Sequence, residues 1–296
     1  MKTGHPPTES AARSSQAWGA APVVRLSACV ELRRDVVGCR FHIEFEVIMG
    51  HPTSRLIVAL DVPTLAEAMD LARRLAPHLA AVKIGSQLFT AEGPRAVHAM
   101  RDLGLRVFLD LKFHDIPNTV AGAVAAARGL GVWMINVHAS GGGAMLRAAA
   151  EAAARGGAPH ARPLVLGVTV LTSLEESDLR AAFGTTRTLR EHVQVLAREV
   201  RSAGLDGVVA SPHEVADIRE ACGADFLVVT PGVRPAQADR ADQRRVLTPG
   251  EAIRAGADYV VVGRPILAAP DPVEAARRIA EECAAARAGS REPRAE

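Results

Sequence analysis

From Arg55 onward, short runs of β-branched and aliphatic residues alternate with longer, Ala-rich stretches of helical period. The runs are Leu56–Leu60, Ala81–Ile84, Arg106–Leu111, Trp133–Val137, Leu164–Val168, Gly207–Ala210, Phe226–Val229 and Tyr259–Val262. Each is mostly apolar rather than alternating, as a parallel strand covered on both faces must be. Between them, Leu65–Leu75, Arg190–Ala203 and Pro272–Ala286 repeat apolar residues every three to four positions and predict helices. Eight strand–helix units in about 235 residues match the α/β class and, within it, a single (β/α)8 TIM barrel. A doubly wound open sheet is the alternative, but it usually has fewer strands and a Gly-rich first turn. After Leu56–Leu60 this chain has Asp61, Val62, Pro63 and Thr64 instead.

Residues 1–53 break the pattern. They mix Ser, Pro, Gly and Arg, then alternate apolar and polar positions over Phe41–Ile48 like a strand, before Met49, Gly50, His51 and Pro52. A stretch of this composition buries little surface, so it is expected to be a disordered extension or to lie upstream of a start at Met49. The expected organisation is an irregular extension over 1–53, one barrel domain over 54–288 and a flexible tail over 289–296.

Composition narrows the function classes. Hydrophobic residues make up 48% of the 296, enough for a large core, and at 3% aromatics that core rests on Ala, Val, Leu and Ile. A net charge of +2 gives no basis for a nucleic-acid partner. No apolar run approaches the roughly 18 residues of a membrane span. Arg25 and Glu31 interrupt the only candidate export signal. Cys29, Cys39, Cys222 and Cys283 share no metal or redox spacing. The chain reads as a cytoplasmic protein with reduced thiols and no membrane or nucleic-acid partner.

Chemistry in such barrels sits at the C-terminal ends of the strands. Asp61 follows the first run, Lys83 closes the second, and Asp110 and Lys112 close the third. Asn136 and His138 come after the fourth, Thr169 after the fifth and Ser211 after the sixth. Thr230 and Arg234 follow the seventh, Gly263 and Arg264 the eighth. Ser211 and Thr230 read as helix caps or satisfied core groups. His138 and His114 read as packed structural histidines. Asp61, Lys83, Asp110 and Lys112 are different, because charges beside buried strand ends are costly unless paired or functional. On a strand Asp110 and Lys112, two apart, point to the same side, into the barrel mouth. Asp115 lies beyond, where the chain turns into a helix opened by Pro117. Alternating carboxylates and ammonium groups hold each other ionised; on spacing alone, a purely structural ion-pair network stays open.

The stretch Val107–Thr119, which runs through Asp110, Leu111, Lys112, Phe113, His114, Asp115, Ile116, Pro117 and Asn118, resembles the signature of bacterial-type orotidine 5′-phosphate decarboxylases. Further matching pieces follow in order: Leu60–Asp61, Val82–Gly85, Val170–Ser173, Thr230–Pro235, Asp242–Arg245 and Val262–Pro265. The resemblance covers most of residues 55–285. It implies a homodimeric lyase needing no cofactor and no metal, which converts orotidine 5′-phosphate to uridine 5′-phosphate (UMP) and carbon dioxide, the last step of UMP biosynthesis. Lys112 is then the catalytic acid, with Asp110 and the other subunit's copy of Asp115 completing a charged array. Asp61 and Lys83 hold the ribose hydroxyls, and Thr172 contacts the pyrimidine. Arg234, Gln243, Gly263 and Arg264 bind the phosphate, while Asp110 through Thr119 lies along the substrate.

Physical reasoning supports part of this. TIM barrels often bind phosphate with the loops after strands seven and eight, which here carry Arg234, Gly263 and Arg264. The polar stretch Pro235–Arg245 is long enough to act as a lid, with an ordinary solvated loop, the usual case for so charge-rich a run, as the alternative. Two rivals remain at this level: a magnesium-dependent sugar-phosphate decarboxylase or aldolase on the same barrel, and a non-catalytic nucleotide-binding barrel. Phe113, His114, Ile116–Thr119, Thr172 and Asp242–Arg245 favour the nucleotide enzyme.

Overall fold

The computed structural model describes residues 23–30, 41–48, 53–155, 162–234 and 247–289. Within the extension, β1 (Val23–Val30) and β2 (Phe41–Ile48) pair antiparallel, Val23 opposite Ile48 and Val30 opposite Phe41. The strand pattern at Phe41–Ile48 is therefore realised, with a partner strand that the pattern had not singled out. The rest of residues 1–52 lies outside the described residues.

All eight expected barrel strands form: β3 (Leu56–Ala59), β4 (Ala81–Gly85), β5 (Val107–Phe113), β6 (Met134–His138), β7 (Leu164–Val168), β8 (Gly207–Val209), β9 (Leu227–Pro231) and β10 (Tyr259–Val262). They are parallel and neighbour one another in chain order, and β10 closes onto β3. β5 and β9 each run two residues beyond the expected end. Their last positions, Lys112 and Phe113 or Thr230 and Pro231, include polar residues or proline, at which an apolar run stops. Helices Leu65–Leu75, Leu189–Ser202 and Pro272–Gly289 lie where the period placed them.

Two buried clusters result. The larger joins the outer strand faces to the helices. The smaller fills the barrel with Ile57, Ala59, Ala81, Phe108, Met134, Leu166, Val168, Val209, Val229 and Val261. Successive side chains on a strand alternate between faces. Counting two residues on from this interior layer thus gives the next inward positions: Asp61 after Ala59, Lys83 after Ala81, Asp110 after Phe108 and Asn136 after Met134. The same parity that builds the apolar plug delivers the charged groups to the barrel mouth above it.

A closed barrel has no free edge for a further strand to join, and β1 and β2 form a sheet of their own. A chain shortened to start at Met49 is expected to keep its melting temperature and activity. A fall beyond about 4 °C, equivalent to roughly 1 kcal/mol at this size, would show that the barrel needs the extension.

Candidate active site

At the top of the barrel four side chains alternate in charge. The Lys83 ammonium lies 3.2 Å from Asp61 Oδ1 and 3.2 Å from Asp110 Oδ2. The Lys112 ammonium lies 2.7 Å from Asp110 Oδ1. Local structure places each group. The Leu60 N–H donates to the Lys83 carbonyl at 3.0 Å, so the strand end carrying Asp61 stays beside β4 until Pro63 and the N-cap Thr64 turn the chain into its helix. Gly85 ends β4 without a side chain; a Cβ there would stand 2.9 Å from Lys83 Nζ and 3.0 Å from Asp61 Oδ1. The ion pair occupies the room that any larger residue would need.

The third strand is not regular. Asp110 and Lys112 do meet, as expected, but the ladder between β5 and β6 shifts register between Leu109 and Phe113. Lys112 has φ +50°, the only non-glycine residue with positive φ among those described. That conformation costs an L-residue about 1–2 kcal/mol, and such strain gathers at functional sites. Asn136, fully buried on β6, accepts the Lys112 N–H at 2.8 Å and donates to Asp110 Oδ1 at 2.6 Å. Sequence reasoning noted Asn136 among the polar strand ends but left it out of the site. Its inward parity, one strand over from Asp110, was the signal available.

Burial opposes charge on both central groups, yet their partners prevail. Desolvation works to raise the Asp110 pKa, but Lys83, Lys112 and the Lys112 and Asn136 hydrogen bonds carry it below the ordinary carboxylate value. Desolvation works to lower the Lys83 pKa, but Asp110 and Asp61 carry it above the ordinary value. The pair is ionised at neutral pH, as the spacing argument required.

Two cavities meet at this array. One, about 210 Å³, is lined by Asp61, Lys83, Asp110, Arg234, Gly263 and Arg264 together with Pro231, Gly232 and Val233. Gly232, at φ +79°, turns the chain after β9. Two residues on, the Arg234 N–H donates to the Leu247 carbonyl at 3.0 Å and the side chain is buried. The second cavity, about 250 Å³, is lined by Lys112, Thr172, Ser173, Val168, Val170, Leu171, Val209, Ala210 and Pro231. Pro231 borders both. The site therefore has a cationic end, an end with apolar walls, and a row of alternating charges between them.

Other expected site residues fall elsewhere. His114 lines a third, largely apolar cavity of about 440 Å³ with His138, their rings 5.4 Å apart. Burial, then His114 and Lys112, hold the His138 pKa below its ordinary value, so it is a neutral wall group at neutral pH. Leu111 and Phe113 pack against the outer core. Asp115, Ile116, Pro117, Asn118 and Thr119 are all exposed. Asp115 Oδ1 accepts the following Ile116 N–H at 2.6 Å, and among the described residues Lys112 pairs with Asp110, not with Asp115 of its own chain. Gln243, with Asp242, Arg244 and Arg245, lies outside the described residues.

Comparison with known proteins gives one consistent match. The family model of the orotidine 5′-phosphate decarboxylase / HUMPS family matches residues 54–279. The orotidine 5′-phosphate decarboxylase of Moorella thermoacetica is 57% identical over 239 residues, covering 80% of this chain and 95% of its own. That of Syntrophotalea carbinolica is 56% identical over 234 residues, covering 78% and 96%. The crystal structure of orotidine 5′-phosphate decarboxylase from Lactobacillus acidophilus superposes with a TM-score of 0.69 at 38% identity, over 78% of this chain and 99% of that one.

Proposed function

The chain belongs to the orotidine 5′-phosphate decarboxylase family, and from that premise we propose how its own residues carry the reaction. The activity is the carboxy-lyase step of pyrimidine biosynthesis, orotidine 5′-phosphate to UMP and carbon dioxide. The magnesium-dependent and non-catalytic rivals gain no support, since the curated relatives that match over most of the chain bear the decarboxylase name. The observation that carries the assignment of roles is the pair of adjoining cavities with the Asp61–Lys83–Asp110–Lys112 row between them.

In this reading Arg234, Gly263 and Arg264 hold the phosphate, with Gln243 joining them. Asp61 and Lys83 take the ribose hydroxyls, and the pyrimidine lies in the second cavity beside Thr172 with C6 at Lys112. The bond from C6 to the carboxylate breaks, carbon dioxide leaves, and the electron pair stays on C6. No carbonyl delocalises that pair, so the fixed Lys112 ammonium stabilises it electrostatically. Lys112 Nζ then gives its proton to C6 and is reprotonated from solvent. Asp110 holds the ammonium in place, and distant phosphate binding is used to organise the reacting end.

The proposal extends to a homodimer in which Asp115 completes the partner's site. Two features support it. Asp115 is exposed, with its carboxylate on the Ile116 N–H while Lys112 pairs with Asp110, and the next residue, Ile116, is 67% exposed, unusual for a large apolar side chain. In a two-fold dimer the exchange is reciprocal. A cytoplasmic setting fits the free, buried thiols of Cys222 and Cys283, and among the described residues no helix is long and apolar enough to cross a membrane.

The direct assay follows loss of orotate absorbance with orotidine 5′-phosphate as substrate and counts UMP and carbon dioxide, expected one for one. Absence of turnover would refute the assignment. Arg234→Ala tests the phosphate end: kcat/KM for the nucleotide should fall by about 2–5 kcal/mol, roughly 30-fold or more. The phosphate-free nucleoside should be almost unaffected. Equal losses on both would move Arg234 out of the phosphate site.

A further inference from the structure

Between the register pairs Leu109 with Ile135 and Phe113 with Val137, three residues of β5 stand opposite one residue of β6. The three are Asp110, Leu111 and Lys112, and the one is Asn136. A strand with surplus residues must bulge, and here the bulge leaves the backbone N–H of Lys112 without a ladder carbonyl. Asn136 supplies the acceptor from its side chain, Oδ1 to Lys112 N at 2.8 Å. The other end of the same amide donates to Asp110 Oδ1 at 2.6 Å, the oxygen that also takes the Lys112 ammonium at 2.7 Å. The amide is planar, so these two hydrogen bonds fix the Lys112 backbone and the Asp110 carboxylate relative to each other. Asn136 is 0% exposed, so its own side chain makes these bonds without competition from bulk solvent.

We propose that Asn136 is a positioning residue for the decarboxylation, whose side-chain amide stands in for the missing rung between β5 and β6. It holds Lys112 in its left-handed turn and aims the carboxylate that steers the ammonium. At neutral pH, where a carboxyl in its place would be ionised, the amide provides both ends. A carboxylate at this position would face Asp110 with like charge, and an apolar side chain would take away the protein acceptor of a part-buried N–H. The proposal rests on the family reading for the identity of the reaction, but its geometry stands independently of that reading.

The test pairs kinetics with crystallography on Asn136→Ala and Asn136→Asp. For Asn136→Ala, kcat per folded site should fall about 100-fold, the scale of a misplacement near 1 Å. KM should change little, because the phosphate and ribose contacts lie elsewhere. For Asn136→Asp the pH profile is the discriminating readout. On the acid side the introduced carboxyl is protonated and can donate to Asp110, so kcat should recover toward the parent's. As pH rises it ionises against Asp110 and kcat should fall away. In the Asn136→Ala crystal structure, Lys112 should leave positive φ and its ammonium should move off Asp110 Oδ1. Unchanged kcat per folded site, or an Asn136→Asp profile parallel to that of Asn136→Ala, would overturn the proposal, and so would an unmoved Lys112. Should the parent protein fail to decarboxylate, the family reading of the reaction fails, and the position of Lys112 in the crystal alone decides the role of Asn136.

Discussion

Lys112→Ala is expected to lose turnover by about 10⁴-fold or more, while the barrel still folds and binds UMP. The size follows from two functions on one atom. General acid catalysis contributes about 10²–10⁴-fold, and a fixed charge at the developing carbanion about 10²–10³-fold more. Folding should survive, because Asp110 keeps Lys83 at 3.2 Å and Asn136 at 2.6 Å, and the Lys112 side chain is already one-third exposed. UMP binding should survive because the proposed phosphate and ribose contacts lie on other residues. The measurements are kcat, thermal melting and UMP titration on the same preparation. Turnover within about tenfold of the parent, only roughly 1.4 kcal/mol of activation free energy, would remove Lys112 from the centre of the reaction.

Mixing two inactive variants should restore activity. Asp115 is close to Lys112 in sequence, but it is exposed and its carboxylate accepts the Ile116 N–H, while Lys112 pairs with Asp110. If each site takes Lys112 from one chain and Asp115 from the other, homodimers of Lys112→Ala and of Asp115→Ala are each nearly inactive. A heterodimer gathers both defects in one site and leaves the other complete. Random exchange of equal amounts makes half the dimers mixed, each with one working site of two, so activity should rise toward about a quarter of the parent's. Mass spectrometry establishes whether exchange has occurred. Exchange without returning activity would place Asp115 within its own chain's site.

Much of this was legible in the residues. The eight strands were legible because a parallel strand buried on both faces must be an apolar run, and Val, Ile and Leu mark it. Lys83 and Asp110 stood out because charge beside such runs is too costly to be incidental. The bulge was not legible: residue parity presumes a regular strand, and nothing in Asp110-Leu111-Lys112 announces a left-handed lysine. Asn136 was passed over for a related reason. Its importance lies in bridging a backbone and a carboxylate on another strand, and such a contact exists only once the strands are aligned. The exposure of Asp115 likewise depends on how the chain leaves β5 for the helix at Pro117, which spacing along the sequence does not specify.

The central claim is that this chain's own charged array, without a metal, performs the decarboxylation. It is tested most directly by exhaustively chelating the purified protein and following orotidine 5′-phosphate turnover in the continued presence of chelator. The account predicts unchanged kcat and kcat/KM, with UMP and carbon dioxide formed one for one. Activity that vanishes on chelation and returns with magnesium would contradict it.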